Sequence, residues 1–142
     1  MDGMQTRSTE LRQRTGDTEK MTINVGVVDL GQIDLLVQEG FYANRSDLVR
    51  TALRNQLALH ADMVRQTVAR RTLTVGLQQL NRADLERAVA SGQRLQIQVV
   101  GLARIADDVT PELARAAIDS VTVLGAFQAP AAVRAALADR IR

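Results

Sequence analysis

From Met21 onward, apolar and polar positions alternate. Met21, Ile23, Val25 and Val27 are apolar, and Thr22, Asn24 and Gly26 lie between them. A period of two predicts a half-buried strand. The period then changes. Asp29 is placed to cap a helix, with Gln32 three residues on to complete a capping box. Leu30, Ile33, Leu36 and Val37 form one apolar helical face, Gly40 ends it, and Phe41 is placed to pack back on the last turn. A second helix is predicted from Asn44 as N-cap, with Asp47 as its third residue and a stripe of Leu48, Val49, Ala52, Leu53 and Leu57. Nothing in the following stretch breaks it, so the helix is expected to run through His60 and Val64 towards Arg70 as a linking arm over residues 58–71. Residues 1–19 hold few apolar side chains and no persistent period, which predicts a flexible arm.

Residues 72–142 contain a threefold repeat: TLTVGLQQLNRADLERAVA, LQIQVVGLARIADDVTPELARAAI and SVTVLGAFQAPAAVRAAL. Each copy has a β-rich run, a glycine, a connection and an alanine-rich helical stretch. The glycines Gly76, Gly101 and Gly125 lie 25 and 24 residues apart. Asn81 and Asp84 form a capping box for the first helix, and Pro111 and Pro130 suit the first turns of the other two. A strand–turn–helix unit at this period predicts parallel strands with helices on one side, a small α/β layer or short solenoid. The expected class is α+β, with a strand–helix–helix domain over 20–57 and an α/β repeat domain over 72–142. Terminal strands of such a repeat need cover. The helices are also rich in small residues (Ala114, Ala116, Ala117, Ala131, Ala132, Ala135, Ala136), and an apolar stretch, Val121, Val123, Leu124 and Phe127, is too apolar for an exposed edge. Together these point to the repeat half as an assembly module joining further subunits, or as a surface for another protein.

Composition narrows the class. The chain is 46% hydrophobic and 24% charged over 142 residues, a globular profile. No run of eighteen apolar residues predicts a membrane span, and the polar start has no apolar core of a secretory signal, so a cytoplasmic protein is expected. Without cysteine there are no disulfides and no thiolate metal sites. The net charge is only +2, with seventeen arginines and one lysine, Lys20. That skew fits a GC-rich coding bias and is not by itself a nucleic-acid signature. Three aromatics, Phe41, Tyr42 and Phe127, are too few for a single-strand binder built on base stacking.

The segment 20–57 cannot stand alone: one strand and two short helices bury too little. Pairing the strand antiparallel with a second copy gives a two-stranded ribbon with Met21, Ile23, Val25 and Val27 inside. Lys20, Thr22 and Asn24 then face outwards, and Gly26 lets the ribbon sit close to whatever it meets. Such a ribbon fits a DNA major groove, where Thr and Asn can exchange hydrogen bonds with base edges. The stretch GFYANRSDLVRTALR resembles the turn and second helix of the ribbon-helix-helix family, the class of the Arc, MetJ and CopG repressors: glycine, aromatic, small cap, Arg-Ser-acid, then Arg and Ala on the helix. The resemblance covers about residues 20–57. It implies a dimeric transcription regulator that binds double-stranded DNA, with Lys20, Thr22 and Asn24 reading bases. It also implies that Asn44, Arg45 and Ser46 anchor a phosphate, in keeping with the anion affinity of helix N-termini. Family ribbons often carry longer or more charged reading residues, so specificity rests on few side chains here. Across 20–57 four basic residues (Lys20, Arg45, Arg50, Arg54) equal four acidic ones (Asp29, Asp34, Glu39, Asp47), which predicts modest non-specific affinity.

The remaining residues fit structural roles better. Arg50 and Arg54 suit a solvated helix face or pairs with Asp47 and nearby acids, and Arg70-Arg71 a surface hinge. His60 is the only histidine and cannot build a metal site by itself. Asp107-Asp108 suits a loop approaching a helix N-terminus. The three glycines form neither GxGxxG nor GxxxxGK[ST], so no nucleotide site is expected. No nucleophile–base pair, metal-ligand set or cofactor motif is present, which argues against an enzyme. The rival reading is an antitoxin-type protein whose C-terminal half binds and blocks a partner protein.

Overall fold

A computed structural model of the chain describes residues 18–142. The expected arm over 1–19 falls almost wholly outside these residues. The described chain runs α1 (Val27–Gln38), α2 (Arg45–Leu59), α3 (Ala61–Arg70), β1 (Thr74–Leu80), α4 (Arg82–Ala90), β2 (Leu95–Ile105), α5 (Pro111–Ala117), β3 (Ile118–Gln128) and α6 (Ala131–Ala136), followed by a 3-10 turn at Ala138–Arg140. It divides into two compact units, Glu19–Thr67 and Val68–Arg142.

In the first unit, residues 18–26 form neither helix nor strand. The expected strand is therefore not made within one chain, because its only ladder partner would be another copy. Val27, expected as its last inward residue, instead opens α1. The cap is Gly26, without a side-chain hydrogen bond, and Asp29 sits in the first turn. The expected cap at Asp29 thus falls three residues too late: Val27 and Val28 satisfy helical geometry once no strand partner holds them extended. The end of α1 follows the glycine stop. Gly40 takes φ 85°, its amide bonds to the Val37 carbonyl, and the Phe41 amide reaches back to Leu36, a Schellman closure. The Phe41 ring does not pack back as expected; it is 72% exposed. Asn44 caps α2 by accepting from the Asp47 amide at 2.8 Å. The Asp47 carboxylate accepts from the Ala43 amide at 3.0 Å, one residue outside the expected box. The continuous arm is broken at His60 (φ −100°, ψ 10°), where α2 ends and α3 begins.

The second unit is a three-stranded parallel sheet in the order β1-β2-β3. Helices α4, α5 and α6 supply Leu85, Ala114, Ala117 and Val133 to one core with Ile97, Val99, Ala103, Ile105, Ile118 and Val121. The odd-numbered positions of β2 enter this core on both sides of Gly101, so one face of the sheet is helix-covered throughout. Strand alternation puts Val75, Leu77, Val100, Leu102, Leu124 and Ala126 on the other face. The helix starts follow their caps. Asn81 and Asp84 make the full reciprocal box at α4, and Thr110 caps α5 with Pro111 as first residue. Pro130 is itself the cap of α6 rather than in its first turn. Asp108 serves a different helix from the one expected: its Oδ1 accepts from the Arg82 amide at 3.1 Å, at the start of α4.

The repeat glycines lie in register, Gly76 beside Gly101 beside Gly125. All three have positive φ, 129°, 139° and 121°. A Cβ on Gly101 would lie 2.2 Å from the Gly76 carbonyl oxygen, and one on Gly125 would lie 2.1 Å from that of Gly101. The spacing of 25 and 24 residues is therefore the distance needed to stack the same kink across adjacent strands.

Candidate nucleic-acid interface

No residue of Glu19–Thr67 is buried. Met21 is 73% and Ile23 61% exposed, and Val25, Leu35, Leu36, Val49, Leu53 and Leu57 also lie open. Leu30, Ile33, Val37, Tyr42 and Leu48 are only half-buried, as are Thr51, Ala61 and Thr67. Two helices rich in apolar residues and an alternating segment are thus present without a buried residue between them. Exposed apolar area on this scale marks an interaction surface, and burying each such side chain is worth about 1.5–3 kcal/mol. Lys20, Thr22 and Asn24 are exposed in the same segment, interleaved with the apolar residues.

The second group of expected site residues gathers at the start of α2. Asn44 uses its side chain on the Asp47 amide, the third in the helix. The Arg45 and Ser46 amides make no hydrogen bond among the described residues. They are two of the donors that every helix N-terminus leaves open, and with the helix dipole they suit an anionic oxygen. The Arg45 side chain is not free for that anion. It grips Asp34 of α1 in a fork, Nε to Oδ1 at 2.7 Å and Nη2 to Oδ2 at 2.8 Å. The hydrogen bond from Arg45 holds the Asp34 carboxyl below its usual range, and the same bond holds the Arg45 guanidinium above its own. Both groups are exposed, so the pair orders the two helices more than it stabilises them. The sequence reading missed this pair: the residues sit eleven apart across a turn, where no helical spacing connects them. Arg50 and Arg54 are exposed and make no ion pair among the described residues, which agrees with the solvated helix face and not with the alternative of pairing to Asp47.

The first unit thus presents an open helix N-terminus at α2 and an exposed, unpaired segment with alternating apolar residues. A family model described as the ribbon-helix-helix transcriptional regulator family matches residues 16–134. The chain belongs to that family. Its match runs through β3 into α6, so the likeness is not confined to residues 20–57: the strand–Gly–helix unit is part of what the ribbon-helix-helix regulator shares with its family. Membership makes it a transcriptional regulator of a DNA-binding family. No curated protein and no solved structure matches the chain. Among the described residues no helix is long and apolar enough to cross a membrane, and no group of three or more His, Cys, Asp or Glu could hold a metal ion.

Proposed function

We propose that this regulator binds double-stranded DNA sequence-specifically as a dimer. Residues 20–26 of two copies form an antiparallel ribbon that enters the major groove. The observation that supports this reading best is the coreless first unit. Its apolar residues are arranged with strand and helix periods, yet none is buried in one chain. A second copy supplies both a ladder partner for the segment and the opposite half of a core. Thr22 and Asn24 then read base edges, and Lys20 lies at the ribbon's margin. The amides of Arg45 and Ser46, ordered by the Asn44 cap, hold a backbone phosphate, which fixes register without carrying sequence information. The Val68–Arg142 unit serves assembly.

Selection of bound sequences from a random DNA pool with the full chain tests the proposal. A palindromic or repeated motif, lost when Thr22 and Asn24 are both replaced by alanine, is expected. Enrichment of no motif would place the protein among architectural or non-specific binders. A second reading, the antitoxin-type role, draws on the exposed apolar face of the sheet, where Val75, Leu77 and Leu124 could meet another protein. It requires that a stoichiometric partner of different sequence co-purify with the native protein.

A further inference from the structure

The three aligned glycines share one geometry but not one environment. At Gly125 the missing Cβ would run into the backbone of β2, and at Gly101 into the backbone of β1. In both, the kinked glycine faces the strand that precedes it in sheet order. At Gly76 the φ is 129°, between the other two in value, yet nothing lies within 4 Å of the corresponding position. A glycine in a strand marks a place where another backbone comes close. Here two of three are explained by a neighbour in the chain, and the third points at the open edge of β1.

The opposite edge of the sheet is treated differently. Along β3, Ile141 forms a bridge with Val121, and the Arg142 amide bonds to the Val121 carbonyl at 2.8 Å. No described residue covers β1 in this way. Its sequence, TVGLQQL, has no charge and no proline, the usual devices that keep an edge from pairing. Val75 is 64% and Leu77 55% exposed.

We infer that the β1 edge pairs with the β1 edge of a second copy of this chain, antiparallel, joining two three-stranded sheets into one of six. The occupant is a backbone because Gly76 keeps the form that its neighbours use to admit one. It is a second copy because, in the dimer proposed above, every β1 edge is accompanied by an identical one at high local concentration. An uncharged edge is complementary to itself, and an isologous pairing closes without leaving a further edge. The rows Val75–Val100–Leu124 and Leu77–Leu102–Ala126 then continue from one copy into the other. The inference rests on the dimeric reading above for the local concentration alone.

The chain contains no cysteine, so introduced thiols report contacts cleanly. Full-length chains carrying Val75→Cys, Leu77→Cys or Gln79→Cys are oxidised singly and in pairwise mixtures, with Thr122→Cys and Leu124→Cys on β3 as controls. Directly opposed antiparallel residues fall within disulfide reach. At least about tenfold more covalent dimer from one β1 combination than from either control is expected. A native mass of two chains puts the pairing inside the ribbon dimer, and a mass of four puts it between dimers; both support it. A mass of two with no β1 cross-link above the controls overturns the inference and leaves the ribbon reading standing. Cross-links strongest at Leu124 overturn it in favour of face-to-face stacking. A native monomer overturns both.

Discussion

Replacing Gly101 by alanine tests the sheet at its tightest point. Two costs follow from the geometry. The first is conformational: alanine must adopt φ 139°, a region that costs a non-glycine residue on the order of 1–3 kcal/mol. The second is steric. The new Cβ would lie 2.2 Å from the Gly76 carbonyl oxygen, with the Gly76 carbonyl carbon at 3.1 Å. Neither is the end of a flexible side chain. Relief requires β1 and β2 to part locally, which loosens one or two ladder hydrogen bonds at about 1 kcal/mol each. The sum is about 2–5 kcal/mol, against a total of about 4–11 kcal/mol expected for a unit of this length.

Gly76→Ala is the internal comparison. It carries the same conformational cost but meets nothing within 4 Å in the chain, so about 1–3 kcal/mol is expected. Urea titrations followed by circular dichroism, with hydrogen exchange at the β2 amides to isolate the second unit, give both values. Gly101→Ala should lower the melting temperature of this unit by on the order of 10 °C or more. With β1 unpaired, at protein concentrations where the chain is monomeric, equal losses for the two variants would refute the steric part, and a Gly101→Ala chain within about 0.5 kcal/mol of wild type would refute both parts.

Other expectations are more local. Thr22→Ala and Asn24→Ala should each reduce discrimination between target and random DNA by about 1–3 kcal/mol, read from competition binding; equal weakening on all sequences would place them on the phosphate backbone instead. Arg45→Ala keeps the amide that faces the phosphate and removes a side chain already held by Asp34, so the slope of log K against log salt should stay within about half a unit of wild type, whereas a loss of about one would show that the guanidinium leaves Asp34 for a phosphate. Asp34 should titrate below the ordinary carboxylate range in the wild-type chain, because Arg45 hydrogen-bonds to it, and rise when that partner is removed in Arg45→Ala, followed by carboxyl NMR. Since its folded pKa is depressed, the contribution of the pair is present above the unfolded pKa and is lost as pH falls through the folded one. Thr72, a β-branched residue at φ 55° in the Schellman turn after α3, is strained; Thr72→Asn should stabilise the second unit by about 1 kcal/mol in a urea titration, and no gain would show that the turn tolerates threonine freely.

The elements of the second unit were legible because independent signals coincide. Gly76, Gly101 and Gly125 repeat with the β-rich runs, and Asn81, Asp84 and Pro111 mark helix starts within the same period. What the spacing could not show is why those positions are glycine. That depends on register between strands, which brings Gly101 over the Gly76 carbonyl. Asp108 was read as serving the next helix in sequence, whereas the parallel sheet carries its loop to the start of α4. In the first unit the alternation ending at Val27 fits a strand that needs a partner, while the run Val27–Val28 fits a helix that needs none, and the single chain resolves the conflict towards the helix. His60 breaks the long helix without any proline or glycine, so no residue type announced the break. The Asn44 cap was legible because it is local; the Asp34–Arg45 fork spans a turn and was not.

The two units hold their apolar residues in opposite ways, and this has a consequence for binding. Val68–Arg142 closes a core within one chain, whereas Glu19–Thr67 leaves every apolar side chain at least partly open. In the proposed reading, DNA recognition is linked to association: residues 20–26 become a ribbon only when two copies meet, and affinity for DNA includes the free energy of that meeting. A second contact through β1 would raise the local concentration of ribbon segments without touching a base. Leu77→Lys, on the exposed face of β1, should accordingly move half-saturation of DNA to higher protein concentration and make the binding curve steeper, while the preferred sequence stays the same. Thr22→Ala and Asn24→Ala should do the converse, altering preference with the native mass unchanged. The two kinds of variant separate assembly from readout. A Leu77→Lys chain that binds with wild-type midpoint and steepness would show that the ribbon alone sets the dimer.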